Sequence, residues 1–118
     1  MRHKKESVKL GRLAGPRKAV MRSLAIALIE NGRITTTAVK ARALKKFIEP
    51  LVTKGGSKSV HTIREIEKKL SNKKAALKLV NEIGPKFKSV NGGYTRITKL
   101  IVRKGDGAEQ SVIEWVTK

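Results

Sequence analysis

This sequence predicts a mixed α/β fold of the α+β kind: about four helices packed on a small three-stranded sheet, with a basic extended arm in front. Three observations carry that expectation. Apolar residues recur at spacings of three and four in four successive segments up to residue 84, the period of one helix face. In "YTRITKLIV" and "QSVIEWV" the period drops to two, the alternation of strands. A lone hairpin is marginal in water, and the remaining unassigned β-branched segment, "RITTT", supplies a third strand near residues 33–36.

The elements follow in order. Residues 1–15, "MRHKKESVKLGRLAG", carry Arg2, Lys4, Lys5, Lys9 and Arg12 but only Val8, Leu10 and Leu13 as large apolar groups. They cannot bury enough to order alone and read as a basic arm that folds on its partner. Residues 16–118 read as one globular domain, since a chain of 118 residues has the length of one domain with its own core. Pro16 suits the first turn of a helix whose stripe is Val20, Leu24, Ala27 and Leu28, and Asn31-Gly32 stops it. Arg17, Lys18 and Arg22 lie mostly off that stripe.

A second helix starts with Thr36 or Thr37 as its cap, buries Ala41, Leu44, Phe47, Ile48 and Leu51, and closes at "KGGSKS". The third has Val60, Ile63, Ile66 and Leu70. Ser71-Asn72 breaks it and caps a fourth, with Ala76, Leu77, Val80 and Ile83, which Gly84-Pro85 stops. In the first strand of the hairpin Tyr94, Arg96, Thr98, Leu100 and Val102 share one face, with Ile97 and Ile101 on the other; "RKGDGAE" is the loop.

Charge sets the function class. Lys and Arg number 28 against nine Asp and Glu, a net charge of +19. Solubility needs only roughly 2 to 8, so the excess points to a polyanionic partner. A membrane is the weaker choice, because the longest apolar run, "LAIALI", is too short to span one and too short for most signal-peptide cores. The lack of cysteine excludes disulfides and thiolate metal sites and fits a cytoplasmic protein.

Catalysis has little support. The acids are scattered, and Glu65 and Glu67 are two apart on a helix, so they do not share a face. His3 and His61 have no metal-ligand spacing, and no phosphate-cradling glycine motif is present. We therefore expect no enzyme, no metal, no cofactor and no small-molecule substrate.

The ligand is expected to be nucleic acid held by its backbone and shape. Aromatics are only Phe47, Phe87, Tyr94 and Trp115, and Phe47 and Trp115 fit the core, which leaves too few for a stacking platform. Thr36 and Thr37 at a helix start, beside Arg33, Lys40 and Arg42, suit phosphate. Gly92 and Gly93 allow close backbone approach next to Tyr94 and Arg96. The alternative is a DNA-associated protein using residues 36–52 and 59–70 as a helix-turn-helix variant, although "TKGGSK" is long for that turn.

"MRHKK", "LGR" at 10–12, "RKAVMRSL" at 17–24, "NGRITTTAVKAR" at 31–42, "VTKG" at 52–55 and "NGGYTRITKL" at 91–100 together resemble the bacterial family of large-subunit ribosomal protein seventeen over essentially the whole chain. The resemblance implies a structural protein of the large ribosomal subunit. It implies binding to large-subunit ribosomal RNA near the polypeptide exit tunnel, among neighbouring ribosomal proteins, in the cytoplasm. Matched residue by residue, it implies RNA contacts at Arg2, His3, Lys4, Lys5, Arg12, Arg17, Lys18, Arg22, Arg33, Thr36, Thr37, Lys40, Arg42, Tyr94, Arg96, Arg103 and Lys104. Lys9, Gly92 and Gly93 join them from the charge and turn arguments above. The chain departs from the family pattern at Pro16, at "GGSKS" and at "AEQSVI".

Overall fold

The computed structural model describes residues 10–116. Helix α1 spans Ala14–Asn31, β1 Arg33–Thr37, α2 Ala38–Gly55, α3 Val60–Leu70 and α4 Lys73–Lys78. A π-helical turn at Leu79–Ile83 and a short α5, Gly84–Lys86, follow; β2 is Thr95–Lys99 and β3 Gln110–Trp115. The helices cover one face of a three-stranded antiparallel sheet, as expected.

α1 has Pro16 in its first turn and ends on Gly32 at φ +82°, whose N–H returns to the Leu28 carbonyl at 2.9 Å. Its buried side is Met21, Ala25, Leu28 and Ile29; Val20, Leu24 and Ala27 are half-buried. The expected stripe was rotated because "VMRSLAIALI" is apolar on most sides, so packing against α2 and α3, not periodicity, selects the inward face.

α2 is the central element, touching α1, α3, the π turn and all three strands. Thr37 is its N-cap residue, but neither threonine hydroxyl caps it: the Ala38 N–H instead donates to the Glu109 carbonyl at 3.0 Å. The residue leading into β3 thus satisfies one of the unpaired donors at the start of α2. Ala41, Leu44, Ile48, Leu51 and Val52 are buried, and Phe47 packs at the edge of the core.

α3 and α4 have side-chain caps: Ser59 Oγ accepts from the Thr62 N–H at 3.1 Å, and Asn72 Oδ1 from the Ala75 N–H at 3.0 Å. Ile66 and Leu70 face the core, whereas Val60, expected on the stripe, is exposed at the helix start. Gly84-Pro85 does not stop the fourth helix. The Gly84 N–H bonds the Leu79 carbonyl five residues back, and the chain runs on to Lys86 before Phe87. Proline is tolerated there because it opens a new turn and has no N–H to lose.

β3 lies between the other two strands, with Arg33↔Glu114 and Ile34↔Ile113 on one side and Arg96↔Glu114 and Ile97↔Ile113 on the other. The row Ile34, Ile113, Ile97 therefore faces the helices, and Trp115 on the same side donates Nε1–H to the Leu28 carbonyl at 3.2 Å. β2 is shorter than expected. It leaves the ladder after Lys99, and Leu100, Ile101 and Val102 stand exposed in the loop.

On the inner face the Ser111 hydroxyl is buried without a hydrogen-bond partner among the described residues. An unpaired buried hydroxyl is a desolvation cost with no return. Ser111→Ala is therefore expected to leave stability unchanged or raise it by up to about 1 kcal/mol, as read by urea denaturation; a loss of more than about 1 kcal/mol would mean that Ser111 has a partner.

Candidate nucleic-acid interface

Three basic surfaces emerge from these elements. The first is the outer face of the sheet. Strand register sets Arg33 and Arg96 on either side of Glu114. Arg96 donates to Glu114 Oε1 from Nη2 at 2.9 Å and from Nε at 3.3 Å, while Arg33 Nε lies 3.9 Å from Oε2. Two guanidinium groups share one carboxylate, so the trio keeps a unit of positive charge and both arginines are oriented by it. Unused N–H groups remain on both for an external anion.

The second surface is a wide groove of about 750 Å³ along α2, lined by Arg42, Lys45, Lys46, Pro50, Asn91 and Gly92 among others. Positions 42, 45, 46, 49, 50 and 53 fall on one side of a helix that turns about 100° per residue. Glu49, the acid of this groove, is already occupied: its Oε2 accepts from the Thr95 N–H at 3.2 Å and from the Thr95 hydroxyl at 3.1 Å. That carboxylate ties α2 to β2 and leaves the three cations of the groove without an ion-pair partner among the described residues.

The third is a groove of about 450 Å³ between α1, α2 and α3, lined by Lys18, Arg22, Phe47, Lys54, Lys68, Lys69 and Glu65. Arg22 Nε donates to the Lys69 carbonyl at 3.1 Å, placing a cation at the negative end of α3. Glu65 pairs with Lys54 at 3.7 Å and with His61 at 3.2 Å, which accounts for the second histidine as a surface contact.

Arg2, His3, Lys4, Lys5 and Lys9 lie outside the described residues. Arg12, exposed just before α1, and Arg17, half-buried in its first turn, each donate to a nearby carbonyl, Arg12 to Leu10 at 2.9 Å and Arg17 to Arg12 at 3.5 Å. Lys18 and Arg22 come together in the third groove, Arg42 and Gly92 in the second, and Arg33 and Arg96 across Glu114. Thr36, Thr37 and Lys40 are half-buried and join none of the three clusters. Gly93 has φ +64°, which a side chain would oppose.

Tyr94 is corrected. It is only 4% exposed, stacked edge-on against Phe87 at 5.4 Å, with its hydroxyl 3.0 Å from that of Thr53 and donating to the Val90 carbonyl at 3.3 Å. A ring so placed is a core residue and cannot stack on a base. Arg103 is also committed: its Nε and Nη2 hold both oxygens of Asp106, which drives that carboxyl well below its usual range, and Asp106 also accepts from the Ala108 N–H. Lys104 beside it is exposed.

Lys45 and Lys46 were missed as site residues, as were Lys54, Lys68 and Lys69. The signal for the first two was present, since they stand three and four residues after Arg42, the spacing of one helix face. Among the described residues no helix is long and apolar enough to cross a membrane, and no group of three or more His, Cys, Asp or Glu is placed to hold a metal ion.

The family model for "Ribosomal protein L17" matches residues 20–116. Three similar proteins each carry the name large ribosomal subunit protein bL17. The one from Nautilia profundicola is 48% identical over 120 residues, covering 98% of both chains. The one from Coprothermobacter proteolyticus is 44% identical over 115 residues, again with 98% of each chain covered. That of Campylobacter jejuni subsp. doylei is 46% identical over 116 residues, covering 98% of this chain and 99% of its own.

Proposed function

From the premise that the chain belongs to the ribosomal protein L17 family, a family of structural proteins and not enzymes, we propose that it binds and positions large-subunit ribosomal RNA, in the region of the polypeptide exit tunnel. The observation that carries the reading is the pair of basic grooves flanking α2. Their lining positions lie on different sides of that helix, and the acids that could neutralise them are turned inward at Glu49 or already paired at Glu65.

Binding of this kind needs no chemistry. Lysines and arginines neutralise phosphates of converging RNA segments and release counterions, while the rigid domain fixes the register between the segments. On the second groove Arg42, Lys45 and Lys46 track a backbone, with Gly92 offering close approach. On the third, Lys18, Lys54, Lys68 and Lys69 do the same, and Arg33 and Arg96 add contacts on the sheet. The basic arm, with Arg2, His3, Lys4, Lys5 and Lys9, threads between RNA elements. Neighbouring ribosomal proteins complete the surroundings in the cytoplasmic ribosome.

Sedimentation tests the reading. In a lysate of the source cell run through a sucrose gradient at high salt, the chain is expected to travel with the large subunit and to be freed by RNase. Migration at the top of the gradient or with chromosomal DNA would overturn it.

A further inference from the structure

The charge of this chain is divided unevenly. Residues 100–118 hold Arg103, Lys104 and Lys118 against Asp106, Glu109 and Glu114, so they balance, and the whole of the +19 lies in residues 1–99. Within that neutral segment the chain exposes its one run of consecutive large apolar side chains among the described residues. Leu100 is 42% exposed, Ile101 88% and Val102 49%; the other exposed ones, Leu13, Val39 and Val60, stand singly.

The run is held in a defined shape. The Leu100 N–H donates to the Gln110 carbonyl at 2.9 Å, the Arg103 N–H to the Ala108 carbonyl at 2.9 Å, and the Gly107 N–H to the Arg103 carbonyl at 3.0 Å. The Arg103–Asp106 pair closes the tip. Beside the run lies an open sheet edge, because among the described residues β2 pairs with β3 alone. Since Leu100 bonds to Gln110, alternation in an antiparallel ladder turns the N–H groups of Ile97 and Lys99 away from β3, toward that edge.

Resting on the ribosomal reading above, we propose that the β2 edge and Leu100, Ile101 and Val102 dock an extended, apolar segment of a neighbouring protein of the large subunit. Strand addition supplies main-chain hydrogen bonds at the open edge, and the three apolar side chains cover the added strand. RNA does not fit this surface. Residues 100–118 carry no net charge, their arginine is already neutralised by Asp106, and the three apolar side chains gain nothing against phosphates. A second copy of this chain does not fit either, since each copy brings +19 to the contact. Glu109, exposed and without an ion pair among the described residues, suits a lysine or arginine on the docked segment.

The test places a benzoylphenylalanine photocrosslinker at position 101 of the full chain, assembled into large subunits, with a second chain carrying it at position 45. Irradiation is expected to join position 101 to a resident subunit protein, giving an adduct that survives RNase and is lost to protease. An adduct to RNA, an adduct between two copies, or none in subunits that contain the probe would overturn the proposal. The position 45 probe reports separately on the RNA reading: failure to join RNA there counts against that reading and leaves the hairpin result standing. As an independent measurement, Ile101→Ser should leave the melting temperature and RNA affinity of the free protein unchanged while increasing its loss from salt-washed subunits at least threefold. Equal retention would overturn the docking surface.

Discussion

Gly84→Ala is expected to destabilise the domain by on the order of 3 kcal/mol, the upper end of the usual cost of overpacking. A β-carbon built at Gly84 meets the carbonyl oxygen of Gly55 at 2.3 Å and its carbonyl carbon at 2.7 Å, with the Leu79 carbonyl at 3.2 Å. These obstacles are backbone atoms, so no side-chain rotation relieves them, and the end of α2 must separate from the π turn. Leu79, Val80, Ile83 and Phe87, all buried, are carried by the segment that would move. For a chain of this size the loss corresponds to a fall in melting temperature of roughly 12 °C or more.

The partner glycine provides the control. A β-carbon at Gly55 meets Leu79 Cγ and its carbonyl oxygen at 3.7 Å, ordinary contact distances, so Gly55→Ala is expected to change the melting temperature by only a few degrees. Thermal denaturation of the two variants side by side checks the asymmetry. Equal tolerance at both positions would mean that α2 and the π turn are not in backbone contact.

That contact marks the boundary of what the sequence could express. Helix periods, the "NG" stop, the Asn72 cap and the third strand in "RITTT" were all legible, because each depends on local pattern or on counting unpaired strands. The π turn was not: a single extra residue in a helix has no compositional mark, and Gly84-Pro85 carries the usual signature of a stop. The same limit held at the surface. Basic residues could be counted from the sequence, but which were free could not. Arg103 is tied to Asp106, Arg96 shares Glu114 with Arg33, and Tyr94 turns inward onto Phe87, all consequences of pairings between segments. Lys45 and Lys46 gain their place because Glu49 is drawn away to Thr95, a residue 46 positions later in the chain.

Replacing Arg42, Lys45 and Lys46 together with glutamine is expected to weaken binding to large-subunit ribosomal RNA by roughly ten- to a hundredfold near 0.15 M salt and to flatten the salt dependence. Counterion release sets the size of the effect: each phosphate contact contributes a slope of about 0.7 to 0.9 in log K against log salt, so three lost contacts remove roughly two to three units. Fold stability should change little, since none of the three side chains is buried or paired among the described residues. Arg103→Gln is the informative comparison. Its charge is already cancelled by Asp106, so the slope should change by less than about one unit. If the single variant at the hairpin flattened the slope as much as the triple variant on α2, the RNA would be following the hairpin, and the groove beside α2 would lose its assigned role.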